Sequence, residues 1–429
     1  MCRAGIKGFP LREEQRMKFK TNGIEKKWIL YDVGNSAFTL LVSTIMPIYF
    51  NYLAGNAGIS EVDYLAFWGY AVSAATFIVA FLGPLLGTFS DEKGRKKKLF
   101  LAAMLAGAIG CVALGFMQSW VWFLVLFVIA KSAYSLSLVL YDSMLPDITT
   151  QERMDEVSAR GYAWGYIGSC IPFIGSLLLV LFYEKLGVSM KLAMSIAFIL
   201  VAVWWVALTL PLLKAYRQKN YRKKGAFAKN SGGHQLRTLF RELRERKKVW
   251  LFLLAFFFYI DGVYTIIDMA TAYGTALGLD TTGLLLALLV TQIVAFPAAL
   301  LFGRLSVKCS ASRLISVCIA AYFLIALYGI SLEKQYQFWI LAVCVGLFQG
   351  AIQAMSRSYY AKIIPPEKSG EYFGIYDICG KGASFFGTFL VSAVSQLTGS
   401  VNLGVGALSL MFLLGFLLFR KANRAALEE

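Results

Sequence analysis

The chain has 429 residues, 58% of them hydrophobic and 16% charged, with a formal net charge of +17 and a single histidine. A soluble protein of this length has no core able to hide that much apolar surface, so the composition excludes a cytosolic enzyme and places the chain in a membrane. A charge of +17 would suit nucleic acid, but the Lys and Arg residues are gathered into a few connectors on one side of apolar runs, which excludes that partner.

About twelve apolar runs of roughly twenty residues follow one another, each long enough to cross a hydrocarbon core of about 30 Å. They extend over 28–52, 66–88, 99–117, 120–143, 158–182, 190–212, 250–273, 281–303, 314–331, 337–358, 371–396 and 402–420. Their length and weak alternation argue for helices and against a barrel. With the amino terminus inside, about 35 of the basic residues fall on inside segments and about three outside, which puts both termini in the cytoplasm. The segments 53–65, 274–280 and 397–401 contain no Lys or Arg, whereas 214–248 contains 13. Residues 1–27 read as a polar cytoplasmic tail without a cleavable leader, 28–213 as a six-helix bundle, 214–248 as a basic linker, 249–420 as a second bundle and 421–429 as a short tail. The expected fold is an all-α membrane protein of twelve transmembrane helices in two pseudo-symmetric bundles. Its basic face is expected to meet anionic lipid.

The first span places Asp32 and Asn35 one turn apart within an apolar helix. Such an acid serves either as a cap or latch near the helix end or as part of a solute pathway. Between the second and third spans lies GPLLGTFSDEKGRKKK, with Gly87, Asp91, Gly94, Arg95 and Lys96 at fixed spacing. This resembles the loop between helices two and three of the major facilitator superfamily. The resemblance implies a latch between two transporter halves, the acid facing a helix end or a basic partner. Trp28, Tyr31, Asp32, Asn35, Ser36, Ala37 and Phe38 in turn resemble the opening signature of that superfamily's vacuole-effluxer-like branch, whose namesakes are fungal vacuolar amino-acid exporters and which has many bacterial members.

The fourth span carries Lys131 near mid-depth, where an ammonium group is expensive. It is followed by a mainly acidic connector with Asp147, Glu152, Asp155 and Glu156. In the fifth span Gly161, Gly165 and Gly168 make a small-residue stripe suited to close helix approach. The only histidine, His234, lies in the basic linker and reads as solvated.

The second half repeats the first at a shift of about 216 to 218 residues. Gly303 falls under Gly87 and Gln349 under Lys131, but Val307 stands where the first copy has Asp91. The seventh span places Asp261 and Asp268 on nearly one face, and the tenth carries Gln349, Gln353 and Arg357 every four residues. In the eleventh, Asp377 and Lys381 lie one turn apart and form either a local ion pair or part of a pathway. FQGAIQAMSRSYYAKIIP followed by EYFGIYD resembles the second signature of the vacuole-effluxer-like branch, so the likeness covers the chain from Trp28 onward.

The seven cysteines show no metal spacing, and neither GxxxxGK[ST], GxSxG nor a His-bearing metal motif occurs. No enzymatic activity and no cofactor are expected, and transport would draw on an ion or solute gradient rather than ATP. Helices one, four, seven and ten line the cavity in the facilitator arrangement. The resemblance therefore implies a substrate or ion site among Asp32, Asn35, Lys131, Asp261, Asp268, Gln349, Gln353, Arg357 and Lys381, with Asp261 as the carrier if coupling is to protons. Ammonium or guanidinium together with carboxylate suits a zwitterion. The resulting expectation is a monomeric secondary transporter of a small solute, an amino acid or related metabolite, working by alternating access in a bacterial inner membrane and favouring export. The rival is a receptor or scaffold on the same frame without turnover.

Overall fold

The computed structural model describes residues 21–222, 239, 241–381 and 384–425. Among these, eleven helices are long and apolar enough to cross a membrane, and Phe386–Thr398 is a shorter apolar helix. We label them α1 (Gly23–Asn56), α2 (Glu61–Ser90), α3 (Lys96–Leu114), α4 (Trp120–Asp142), α5 (Met154–Leu181), α6 (Met190–Ala215), α7 (Lys247–Ala276), α8 (Thr281–Leu305), α9 (Ala311–Gly329), α10 (Gln335–Ile363), α11 (Ser369–Lys381), α12 (Ser384–Thr398) and α13 (Val401–Ala425). The eleventh expected span is thus represented by α11 and α12 together. The expectation of an all-helical membrane protein holds.

The helices begin where side chains satisfy their first amides. Asn22 and Glu25 form a reciprocal capping box at the start of α1, and Ser60, Ser189 and Asp280 cap α2, α6 and α8. The helix therefore starts ahead of the apolar run, and Glu25 is buried in an ion pair with Arg153 at 2.8 Å. Within α1 the ladder widens into a π-helical turn at Leu41–Ile45, just before Pro47, whose missing amide cannot continue a regular ladder.

Helices α1 to α6 form one half and α7 to α13 the other. In the first, α1 packs on α5 and α6, and α3 on α4 and α6; in the second, α13 packs on α7 and α9, and α8 on α10. The halves meet through α2 against α11 and α5 against α8 and α10. Glycine makes the first of these crossings possible. A Cβ on Gly87 would overlap the Gly370 carbonyl, and one on Gly374 would lie 2.5 Å from the Cα of Pro84. The backbones of α2 and α11 therefore touch directly. On the pseudo-symmetric crossing, a Cβ on Gly303 would lie 2.9 Å from that of Ala159.

Candidate functional site: a sealed face beneath opposed charges

Both inter-half crossings lie at the face that carries the polar connectors, here called the terminal face. At the end of α2, Asp91 points across the interface. Its two carboxylate oxygens accept from the backbone N–H groups of Gly370 at 2.8 Å and Glu371 at 3.0 Å, in the first turn of α11. A carboxylate on the free amides of a helix start is favoured by hydrogen bonding and by the helix dipole. Lys96 stands behind it with Nζ 3.4 Å from Asp91 Oδ1, and donates to Ser369 Oγ at 2.8 Å and to the Ser143 carbonyl at 3.2 Å. Asp91 and Lys96 are both 0% exposed. Burial pushes the Asp91 carboxyl up to about 6, while Lys96, the Gly370 amide and Arg222 pull it the other way. Gly94, at φ +77°, makes the left-handed turn of this loop, which side chains rarely adopt. Arg95 is half exposed and pairs only locally, with Glu92 at 3.1 Å.

Nothing in the sequence marks the start of the linker as part of this contact. Asp147 accepts from the backbone amides of Lys219 and Asn220 and from the Tyr216 hydroxyl, pinning the start of the linker to the first half. Gln218 bridges the Gly94 amide and the Ser90 carbonyl. Arg222 then donates its own amide to the Asp91 carbonyl at 2.7 Å while its guanidinium pairs with Glu371.

Deeper in the molecule, Arg357 of α10 crosses the interface in the opposite direction. It is 2% exposed. Its guanidinium meets Asp32 of α1 at 3.2 Å, Asp142 of α4 at 3.0 Å and Ser158 of α5, and lies over the rings of Trp28 at 4.6 Å and Tyr162 at 4.4 Å. Gly161 leaves room for this contact, because a Cβ there would run into Asp32 and Arg357. Asn35 steadies Asp32 with a 3.3 Å hydrogen bond and accepts one from Tyr134. Nearer the terminal face, Lys362 pairs with Asp155 at 2.6 Å, and Ser158 donates to the Ala354 carbonyl at 2.8 Å. Hydrogen-bonded charge pairs of this kind are the stronger class, and buried ones fail badly if one partner is lost.

Farther from that face stands a second pair of opposite charges. Lys131 lies about 180° round α4 from Trp122 and about 200° from Ile129, at 100° per residue, and both of those side chains are strongly exposed on the outer side. It is partly exposed and within electrostatic reach of Asp268 on α7, which is exposed. Gln353 is partly exposed and Gln349 is buried. Gly350 lets the Tyr166 ring of α5 lie against α10.

Asp261 is placed differently. It is 0% exposed, close to Thr265 and beneath Gly387 of α12, so it lies inside the second half rather than between the halves. The Lys381 side chain lies outside the described residues. The structure thus joins Asp32, Asn35 and Arg357, opposes Lys131 and Asp268, and separates Asp261 from both groups. Missing from the sequence reading are Asp142, Ser158, Glu371 and Arg222. Asp142 had one legible signal, an acid closing an apolar run, but it reads equally as the start of the acidic connector.

The chain is similar to several known proteins. A family profile described as vacuole effluxer Atg22 like matches residues 21–154 and 149–425. An uncharacterized MFS-type transporter, YxiO, of Bacillus subtilis (strain 168) is 39% identical over 399 residues, covering 92% of this chain and 93% of that protein. Autophagy-related protein 22 of Coccidioides immitis (strain RS) is 25% identical over 82% of this chain and 72% of its own. Among solved structures, the major facilitator superfamily transporter FucP in the outward conformation superposes with a TM-score of 0.72 at 14% identity, covering 93% and 97% of the two chains. A bacterial homologue of the iron transporter ferroportin in the outward-facing state superposes with 0.64 at 13% identity, covering 94% and 99%. With the fold and the family in agreement, this chain is an integral multi-pass membrane protein and belongs to the Atg22-like family of MFS-type transporters.

Proposed function

We propose that the protein is a secondary active exporter of a small zwitterionic solute, an amino acid or a close relative, working by alternating access. The observation that supports this is that Lys131 of the first half lies within electrostatic reach of Asp268 of the second, away from the closed terminal face. A solute carboxylate would be held by Lys131 and its ammonium by Asp268, with Gln353 able to bridge to either end. Each end of a zwitterion then finds an opposite charge, which neither end of a sugar would. The names of the fungal relatives support the family setting; the substrate class rests on the charges.

The terminal face, rich in Lys and Arg, is the cytoplasmic one in this reading, because positive residues stay inside. The described conformation is then closed to the cytoplasm, held by Asp91 on α11 and by Arg357 between Asp32 and Asp142. The test is counterflow in proteoliposomes with labelled amino acids, chosen by a thermal-shift screen. Exchange is expected, with Lys131→Gln or Asp268→Asn raising the half-saturating concentration at least tenfold. Absence of exchange with every amino acid, peptide and sugar would favour a receptor or scaffold. Unchanged affinity in both variants would move the site elsewhere.

A further inference from the structure

The start of the linker is bound along its length by the first half and then reaches across. Tyr216, Lys219 and Asn220 bond to Asp147, and Gln218 to Gly94 and Ser90. Lys93 lies over the Tyr221 ring at 5.2 Å, and the Arg222 amide donates to the Asp91 carbonyl. The Arg222 guanidinium, in contrast, pairs with Glu371 of the second half. We propose that residues 216–222 are a strap across the terminal face and that Arg222 is its clasp, a gating residue that holds the closed conformation through Glu371. The proposal rests on the alternating-access reading and brings a linker residue, outside both helical bundles, into its machinery.

The contacts sort by what travels together when the halves part. Those to Asp147, Ser90, Gly94 and the Asp91 carbonyl stay with the first half. The far end of the linker is tied to the second half instead, because Glu242 pairs with Lys368 at 2.5 Å and Leu243 is buried. Lys368 immediately precedes α11, so the two ends of the linker converge on the helix start that Asp91 seals. The contact that has to break on opening is that of Arg222 with Glu371.

Charge gives the clasp its strength. Asp91 and Glu371 bring two negative charges to this junction and Lys96 one positive charge; Arg222 supplies the second. Glu92 close by is answered by Arg95. The two side chains of the clasp are 18% and 8% exposed, so water and salt screen them less than a surface pair. A bond made in one conformation and absent from the other shifts the balance toward the first by its own strength. A linker that merely tethered the bundles would need no such bond, since connectivity does not depend on the side chain at 222. The strap lies off the solute path, so it sets the balance of conformations without touching the solute.

The experiment places spin labels, carried by unnatural amino acids, at exposed Gln151 of the first half and Lys308 of the second, in the full chain in nanodiscs. The ratio of long to short distances across the terminal face is read at neutral pH. Arg222→Gln and Glu371→Gln are each expected to raise it about tenfold, the worth of one charge-assisted bond. The double variant should raise it no further, because both act through one contact. Asp147→Ala, which unseats the strap from within the first half, should raise the ratio in the wild type and add nothing beside Arg222→Gln. Asp91→Ala serves as the reference for opening. An unchanged ratio in Arg222→Gln while Asp91→Ala moves it would overturn the clasp and leave rocking intact. So would a double variant that multiplies the two single effects, or a further rise from Asp147→Ala beside Arg222→Gln. One unchanging distance in every arm, Asp91→Ala included, would overturn the alternating-access reading and the clasp with it.

Discussion

The two crossings between the halves occupy equivalent places in the repeat yet are built differently. At α2 and α11, Gly87 and Gly370 bring backbones into contact and Asp91 seals the junction onto two amides. At α5 and α8, a Cβ on Gly303 would lie 2.9 Å from the Ala159 side chain and only 3.8 Å from the Glu156 backbone, and Val307, where the acid would stand, is 50% exposed. The second crossing cannot simply copy the first, because α5 begins with Asp155 and Glu156, whose charges would repel another acid. Its closure comes instead from α10, through Lys362 on Asp155 and Arg357 on Asp32 and Asp142. A repeat can thus lose a motif while the neighbouring helix supplies an equivalent bond of opposite polarity, the cation now coming from the second half.

Removing Arg357 is the most severe way to break this arrangement. Arg357→Ala leaves the buried Asp32 carboxylate and the partly buried Asp142 carboxylate without their cation and is expected to cost about 3 to 5 kcal/mol, lowering the midpoint of thermal unfolding sharply. Arg357→Lys should recover part of this, since it restores the charge but not the paired geometry. Asp91→Ala comes next, at about 1.5 to 3 kcal/mol for the bonds to the α11 amides. The protein is expected to remain folded and inserted while flux of the solute identified by counterflow falls steeply; unchanged flux would remove the latch from the mechanism.

The glycines sharpen the comparison. Gly87→Ala forces a methyl against the Gly370 carbonyl, which cannot move aside, and is expected to cost about 1 to 3 kcal/mol and to separate the halves at the terminal face. Gly303→Ala would put its methyl 2.9 Å from the Ala159 Cβ, a much smaller overlap than that of Gly87 with the Gly370 carbonyl, so its cost should be the smaller of the two in the same melting assay. Equal effects would contradict the difference in construction. Smallest is Val307→Asp, expected to change stability by less than about 1 kcal/mol and to add no second latch.

The latch between α2 and α11 also answers to pH. Burial raises Asp91 to about 6 in the closed state, above its ordinary value near 3.9. The pH-dependent part of its contribution to closure is therefore fully present below about pH 4 and is lost as pH rises through about 6, while the bonds to the α11 amides remain. Asp91→Asn should abolish that dependence in the terminal-face distances.

Much of the latch was legible, because loops have strong local grammar: Gly94 at positive φ, a carboxylate one turn after Gly87, and lysines next to a span end all leave marks in the sequence. Lys131 and Arg357 were legible as expensive intramembrane charges. Their partners were not. Asp142 reads as the first residue of an acidic connector, Glu371 as the surface end of a span, and Arg222 as one of 13 basic residues between 214 and 248. Asp261 shows the converse. Its spacing from Asp268 marks a shared helix face, yet Gly387 covers one and solvent reaches the other.

The sequence by itself determined that the chain crosses a membrane many times, that it divides into two repeated halves, and which side chains carry a cost in lipid. Hydrophobic length, basic asymmetry and helical phase are properties of single segments, so they are written locally. Which carboxylate meets which cation, and whether an acid faces the partner half or its own, was decided only by how the helices pack. Partners such as Asp32 and Arg357 are 325 residues apart, and only the crossing of glycine-lined helices brings them within bonding distance.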